Sequence, residues 1–322
     1  MRLADIQNSL NYYFFKLQKA GFKKCLAPEG LGLCSKKTIR AHSIQNRQIL
    51  DIIQRDGHVV MLNARLDLKK GISVNFEFIG RNKATTFTGI CSNHDRKIFA
   101  PIEENNIDVD NELHLFLLAY RAVFKQTFAT CDAAVQQELI SRKKREFDLL
   151  SKNVLTDEDK LVLNFSLNSY KTYLYKVEFD KIFLNKYFDK ICHRIIKFSS
   201  TVPTIAVNSL ITPRDNLQKK STIGRIAINI FPTTRYTFVV FSYLKCDEPF
   251  VRPYLDDILH AENQYCRYLV SKLVLRNCEN FVISPNHFDT INEDSRKAII
   301  GFFISTIIED RLDHEDKRLS LF

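Results

Sequence analysis

The chain has 322 residues, of which 45% are hydrophobic and 11% aromatic (25 Phe, 12 Tyr, no Trp), and a formal net charge of +10. That length holds two domains or one large one with a full core, and the composition is that of a folded globular protein. No apolar run approaches membrane-spanning length, and the start, MRLADIQNSLNYYFFKLQKAGFKK, lacks the order of a signal peptide, so a soluble cytoplasmic protein without a membrane partner is expected.

The first predicted element is a helix over residues 5–20, ended by Gly21. KKTIRAHSI reads as a strand leading into a helix over about 45–54, and HVVMLNA and ISVNFEFIG alternate as strands do. A short helix starts near Asp95. ELHLFLLAYRAVFKQ and CDAAVQQELISRKKREFDLLSKN read as two helices, the second with a basic cluster, Arg142 to Arg145, expected on a solvated face. The stretch from Asp157 to Phe198 reads as one or two long helices, with Cys192 and His193 in helical context and an aromatic stripe expected in the core. After Pro203, TIAVNSLI, GRIAINIF and YTFVVFSYL read as strands, the last two a hairpin around PTTR. Two helices over about 255–277 and 292–309 flank the apolar run NFVISP. No glycine-rich phosphate loop occurs.

The pattern predicts an α+β fold in three parts: a basic module over 1–105, a helical region over 106–200 and an α+β region over 201–322. Charge follows the first boundary. Residues 1–105 carry 17 Lys+Arg against 9 Asp+Glu, a net of +8, and residues 106–322 carry 30 against 28, a net of +2. A basic segment is what a nucleic-acid-facing domain presents, because phosphate neutralisation supplies most non-specific affinity; a solvated basic surface is the alternative.

Four residues in the first part are spaced as metal ligands. Cys25 and Cys34 form one close pair, and Cys91 with His94, spaced as a tight knuckle, forms another. Two pairs brought together by a fold are how proteins commonly hold a structural zinc. His42 and Asp95 lie beside these pairs. His42 reads equally as a hydrogen-bonded core histidine, and Asp95 as a helix cap. The other cysteines, Cys131, Cys192, Cys246, Cys266 and Cys278, sit in apolar stretches and are expected to be buried fillers.

The order of residues 25–95 resembles the zinc-bearing members of the HNH nucleases. In these a cysteine pair precedes a hairpin, and a second pair opens the helix of a ββα-metal, treble-clef-like unit. By that resemblance Cys25, Cys34, Cys91 and His94 hold zinc, and His42 is the general base. Asp95 binds a catalytic Mg²⁺ or Mn²⁺, with Asn82 or Asn75 as the middle asparagine. The chain departs from the family in the eight residues between Cys25 and Cys34, in His94 where the family has cysteine, in Ala41 before the histidine and in the 48 residues from His42 to Cys91. The chain also looks like bacterial proteins that join an AHSIQ … CSNHD motif to helical and α+β extensions. That likeness implies an accessory protein of mobile-element or phage-defence loci. The expected function is cleavage of DNA, with RNA as the alternative substrate. The runner-up is a non-catalytic, zinc-stabilised component that binds nucleic acid or a protein partner, with homo-oligomerisation open.

Overall fold

The computed structural model describes residues 21–67, 71–146, 156–200, 202–213, 224–309, 311 and 314–322. The helix expected over 5–20 lies outside them. The fold is mixed α+β, and the chain forms two compact units, each assembled from separated stretches. The first comprises 1–41, 87–96 and 124–184; the second comprises 42–86, 97–123 and 185–322. Among the described residues, no helix is long and apolar enough to cross a membrane.

Two strands, β1 (Thr38–His42) and β4 (Thr86–Cys91), form a two-stranded sheet among the described residues. The second unit is organised by a seven-stranded sheet of β2 (His58–Asp67), β3 (Gly71–Gly80), β5 (Ile191–Ser199), β6 (Ile205–Ile211), β7 (Ile226–Pro232), β8 (Tyr236–Leu244) and β9 (Phe281–Ile283). They lie in the order β3-β2-β9-β6-β7-β8-β5, and neighbours run antiparallel. β6 and β7 are buried at every position, which explains their unbroken apolar sequences at the centre of the sheet. The β7–β8 hairpin closes at the expected turn, where Thr233 N–H donates to Tyr236 O at 2.7 Å. Three later helices bury Leu255, Val274 and Phe302 in the same hydrophobic cluster as Val207, Ile228 and Phe241 of the sheet.

In chain order the longer helices are α1 (Ser92–Glu103), α2 (Glu112–Glu146), α3 (Asp157–Asn185), α4 (Glu248–His260), α5 (Asn263–Asn277), α6 (Pro285–Thr290) and α7 (Glu293–Phe303). The two helices expected between 112 and 153 are one through Glu146. TFAT, between them, has neither Gly nor Pro, and Thr130 Oγ1 bonds back to Gln126 O at 3.1 Å within the helix. α3 begins at a reciprocal cap: Asp159 N–H donates to Thr156 Oγ1 at 3.3 Å, and Thr156 N–H to Asp159 Oδ2 at 2.8 Å. It ends where Lys186 takes a left-handed φ of 58°.

Residues 191–199 are not the helix expected. They form β5, paired along all nine residues with β8 from Ile191↔Leu244 to Ser199↔Tyr236. The partner strand overrides a helix-compatible sequence, so Cys192 and His193 lie on a strand. Likewise the helix expected over 255–277 is two, α4 and α5, parted by extended Ala261 and Glu262. The strand β4 has no counterpart among the predicted elements, because TFTGIC carries a glycine and little alternation.

Candidate metal centre

The first unit brings the two Cys/His pairs together. Cys34 lies four residues before β1, and Cys91 is the last residue of its partner β4. α1 starts at Ser92, so His94 stands in its first turn. Cys25 is fastened to β4 by its neighbour, Leu26, whose N–H donates to Gly89 O at 2.8 Å. Gly89 is required there: a Cβ would meet Phe128 Cβ at 2.9 Å. The long connection from Cys25 to Cys34 turns at Gly30 and Gly32, with φ of 88° and 97°. It closes on a knuckle in which Lys36, at φ 59°, donates its N–H to Cys34 Sγ at 3.4 Å.

The ligand atoms of Cys25, Cys34, Cys91 and His94 all lie within 4.8 Å of one another. Cys25 Sγ is 3.4 Å from His94 Nδ1, and Cys34 Sγ is 3.9 Å from Cys91 Sγ. A tetrahedral ion with Zn–S of about 2.3 Å and Zn–N of about 2.0–2.1 Å sets S···S edges of about 3.8 Å and S···N edges of about 3.5 Å. Both distances match those edges, and the sulfurs are too far apart for a disulfide. The cluster can therefore hold a metal ion such as zinc. His94 is buried, with its Nε2 unpartnered, an arrangement that a strong bond at Nδ1 would offset. Four protein ligands leave no open coordination position, which is the form of a structural rather than a catalytic site.

The electrostatics set two of the cysteines apart. Burial pushes the Cys25 thiol up to about 11, reinforced by the nearby Cys91. Burial acts on Cys91 in the same sense. It is outweighed by hydrogen bonds from the Ser35 side chain, from the backbone of His94 and Ser35, and from Cys25, which bring Cys91 down to about 6. The His94 contribution comes from the N-terminal turn of α1, whose free N–H groups favour a thiolate. Cys25 N-terminal to β1 and Cys91 at the end of β4 thus form one thiol–thiolate pair, ready to be cross-linked by a cation. Cys34 is exposed and Cys25 lines a cavity of about 740 Å³, so these two ligands are reachable from solvent, while Cys91 and His94 are buried.

The residues that the HNH likeness assigns to catalysis are not members of this cluster. His42 ends β1 and is half-buried, its Nε2 3.2 Å from Arg81 O; a carbonyl can only accept, so this nitrogen carries the proton. Asn82 is exposed in the turn after β3 and accepts from Asn46 Nδ2 at 3.0 Å, while Asn75 is exposed on β3. His42, Asn75 and Asn82 belong to the second unit and Asp95, in the first turn of α1, to the first. The metal-ligating group contains none of these four.

Several other side chains depart from expectation. Cys246 is exposed and Cys131 and Cys192 are half-buried, and only Cys266 and Cys278 are the buried fillers expected. Cys192 donates to Glu248 Oε2 at 2.8 Å. The 142–145 cluster is paired with carboxylates: Arg142 with Glu138 at 3.4 Å, Lys143 with Glu146, Lys144 with Glu158 and Arg145 with Asp159. The aromatic stripe of α3 is only partly core, because Phe179 is buried while Tyr170 and Tyr173 are exposed. Lys176 escapes a reading of the sequence altogether. Its Nζ lies 2.7 Å from both carboxylate oxygens of Asp180, with the ion pair buried in the first unit. The i, i+4 spacing is its only signal.

Comparison of the chain with protein-family models, with curated proteins and with solved structures returns no match.

Proposed function

We propose that this chain is an HNH-like nuclease whose Cys25, Cys34, Cys91 and His94 hold a structural zinc, and that it cleaves DNA, with RNA as the alternative substrate. The observation that carries the reading is the four-ligand cluster at the junction of β4 and α1, with a strand-borne histidine following the first pair. Zinc would tie the Cys25–Cys34 connection to the start of α1 and so hold β1, which bears His42. His42 would act as the general base on the attacking water. By the same likeness Asp95 would bind a divalent Mg²⁺ or Mn²⁺, which prefers oxygen ligands. A role as an effector in bacterial anti-phage defence is part of the proposal.

The second reading is a non-catalytic, zinc-stabilised component that binds nucleic acid or a protein. It is favoured by the closed ligand set, which gives the ion a structural role and leaves it no position for water or substrate. Zinc-loaded protein is incubated with plasmid DNA and with RNA in Mg²⁺ or Mn²⁺, beside His42→Ala. Cleavage lost in the variant, with zinc content and circular dichroism unchanged, supports the nuclease. Equal cleavage by both proteins removes His42 from the mechanism. No cleavage, together with DNA binding that weakens steeply with salt, selects the binding reading.

A further inference from the structure

α3 has one buried side and, opposite it, an exposed apolar stripe. One side buries Thr172, Lys176, Phe179, Asp180 and Ile182 in the first unit. The other carries Leu163, Leu167, Tyr170 and Leu174, which are 56%, 45%, 60% and 45% exposed. Their 4-3-4 spacing is that of a coiled-coil seam, one continuous stripe along the helix. A helix already buried on one side that carries a contiguous exposed apolar stripe on the other presents a contact surface there.

The stripe is complementary to itself. When two copies of α3 lie antiparallel about an axis between Leu167 and Tyr170, Leu163 of one copy meets Leu174 of the other, and Leu167 meets Tyr170, each twice. Within each chain Lys160 pairs with Asp157 at 2.8 Å and Lys181 with Glu178 at 2.7 Å, and the two-fold sets the first pair of one copy alongside the second pair of the other with their charges in complementary order. It also brings the acidic first turn, Asp157, Glu158 and Asp159, alongside the opposite helix end, where the macrodipoles oppose favourably. A parallel arrangement would instead stack Lys160 on Lys160. We propose that the outer stripe of α3 is an isologous interface on which two copies of this chain pair with their α3 helices antiparallel. This inference does not depend on the nuclease reading.

Two measurements on the full chain test it. Sedimentation equilibrium is expected to show a concentration-dependent rise from the monomer mass to twice that mass, while Leu167→Asp stays monomeric with unchanged helical circular dichroism and zinc content. In the second, Leu163→Cys combined with Leu174→Cys is oxidised, and the products are read by peptide mass spectrometry. A link between positions 163 and 174 of different chains is expected. Leu163→Cys alone should give no link at 163, since the two copies of that position would be about 16 Å apart at 1.5 Å per residue. A wild-type chain that remains monomeric to about 100 µM, equal association by Leu167→Asp, or a 163–163 link overturns the proposal.

Discussion

Asn280 donates its side-chain amide to Ser43 Oγ at 2.8 Å, across 237 positions of sequence, and to Asn208 O at 2.6 Å. Ser43 in turn donates through Oγ to Thr85 O at 2.8 Å and through its N–H to the same oxygen at 3.0 Å. The residue after His42 is thus held by the strand region at the centre of the second unit. Truncation by Asn280→Ala leaves Ser43 Oγ and Asn208 O short of a donor in a buried place, a loss of about 1–3 kcal/mol. Urea denaturation should show the unfolding free energy fall by that amount, with an earlier midpoint at unchanged slope. An unchanged midpoint would mean that water replaces the amide.

The zinc centre makes a direct prediction. Purified protein should hold about one zinc per chain, and Cys91→Ser should lose it together with much of the stability of the first unit, because binding energy at such a site is folding energy. Elemental analysis with thermal denaturation in the presence and absence of a chelator measures both. A metal-free wild type of unchanged stability would make the cluster a set of packed thiols.

Zinc binding should also depend on pH with a defined sign. At neutral pH Cys25, near 11, retains its proton and Cys91, near 6, has lost its own. The ion must displace the Cys25 proton, so affinity should fall about tenfold per pH unit for each proton released as pH is lowered from about 8. Below about 6 Cys91 is protonated as well and the slope should steepen. Competition titrations with a chromophoric chelator read this slope; a flat profile would show that Cys25 does not ligate.

Lys176 and Asp180 are both buried, and their ion pair packs beneath Phe124, with Nζ 4.7 Å from the ring centroid. Lys176→Met removes the buried cation paired with the Asp180 carboxylate and should cost about 3–5 kcal/mol. Adding Asp180→Leu removes the uncompensated charge and should recover much of that loss. If the double variant is no better than the single one, the pair's packing rather than its charge is what matters.

Gly89→Ala should be destabilising although it adds one methyl group. The new Cβ meets Phe128 Cβ at 2.9 Å and Leu26 Cδ1 at 3.3 Å, and relief requires β4 to shift from α2. Overpacking of this kind costs about 1–3 kcal/mol. Because Gly89 O holds Leu26, the shift should also weaken zinc retention, read by the rate of chelator extraction. Retention equal to wild type would uncouple β4 from the Cys25 ligand.

Spacing alone picks out Cys25, Cys34, Cys91 and His94, since a knuckle such as Cys91–His94 is a local geometry and needs only one turn. The β7–β8 hairpin is legible for the same reason: PTTR between two β-branched, aromatic runs specifies its own closure. Elements whose state depends on a distant partner are not. ICHRIIKFS reads as helix in isolation and is a strand because β8 offers nine residues of pairing. The joining of the helices around TFAT, and the break at Ala261 and Glu262, turn on packing that no local signal reports. The linear order of residues thus sets the chemistry on offer: four soft ligands in two pairs, a histidine after the first, and an α+β pattern. Folding in three dimensions makes the four converge, puts His42 and Asp95 in different units and leaves α3 with an apolar stripe outside. Convergence and burial depend on contacts between residues far apart in the chain, and periodicity carries no record of those contacts.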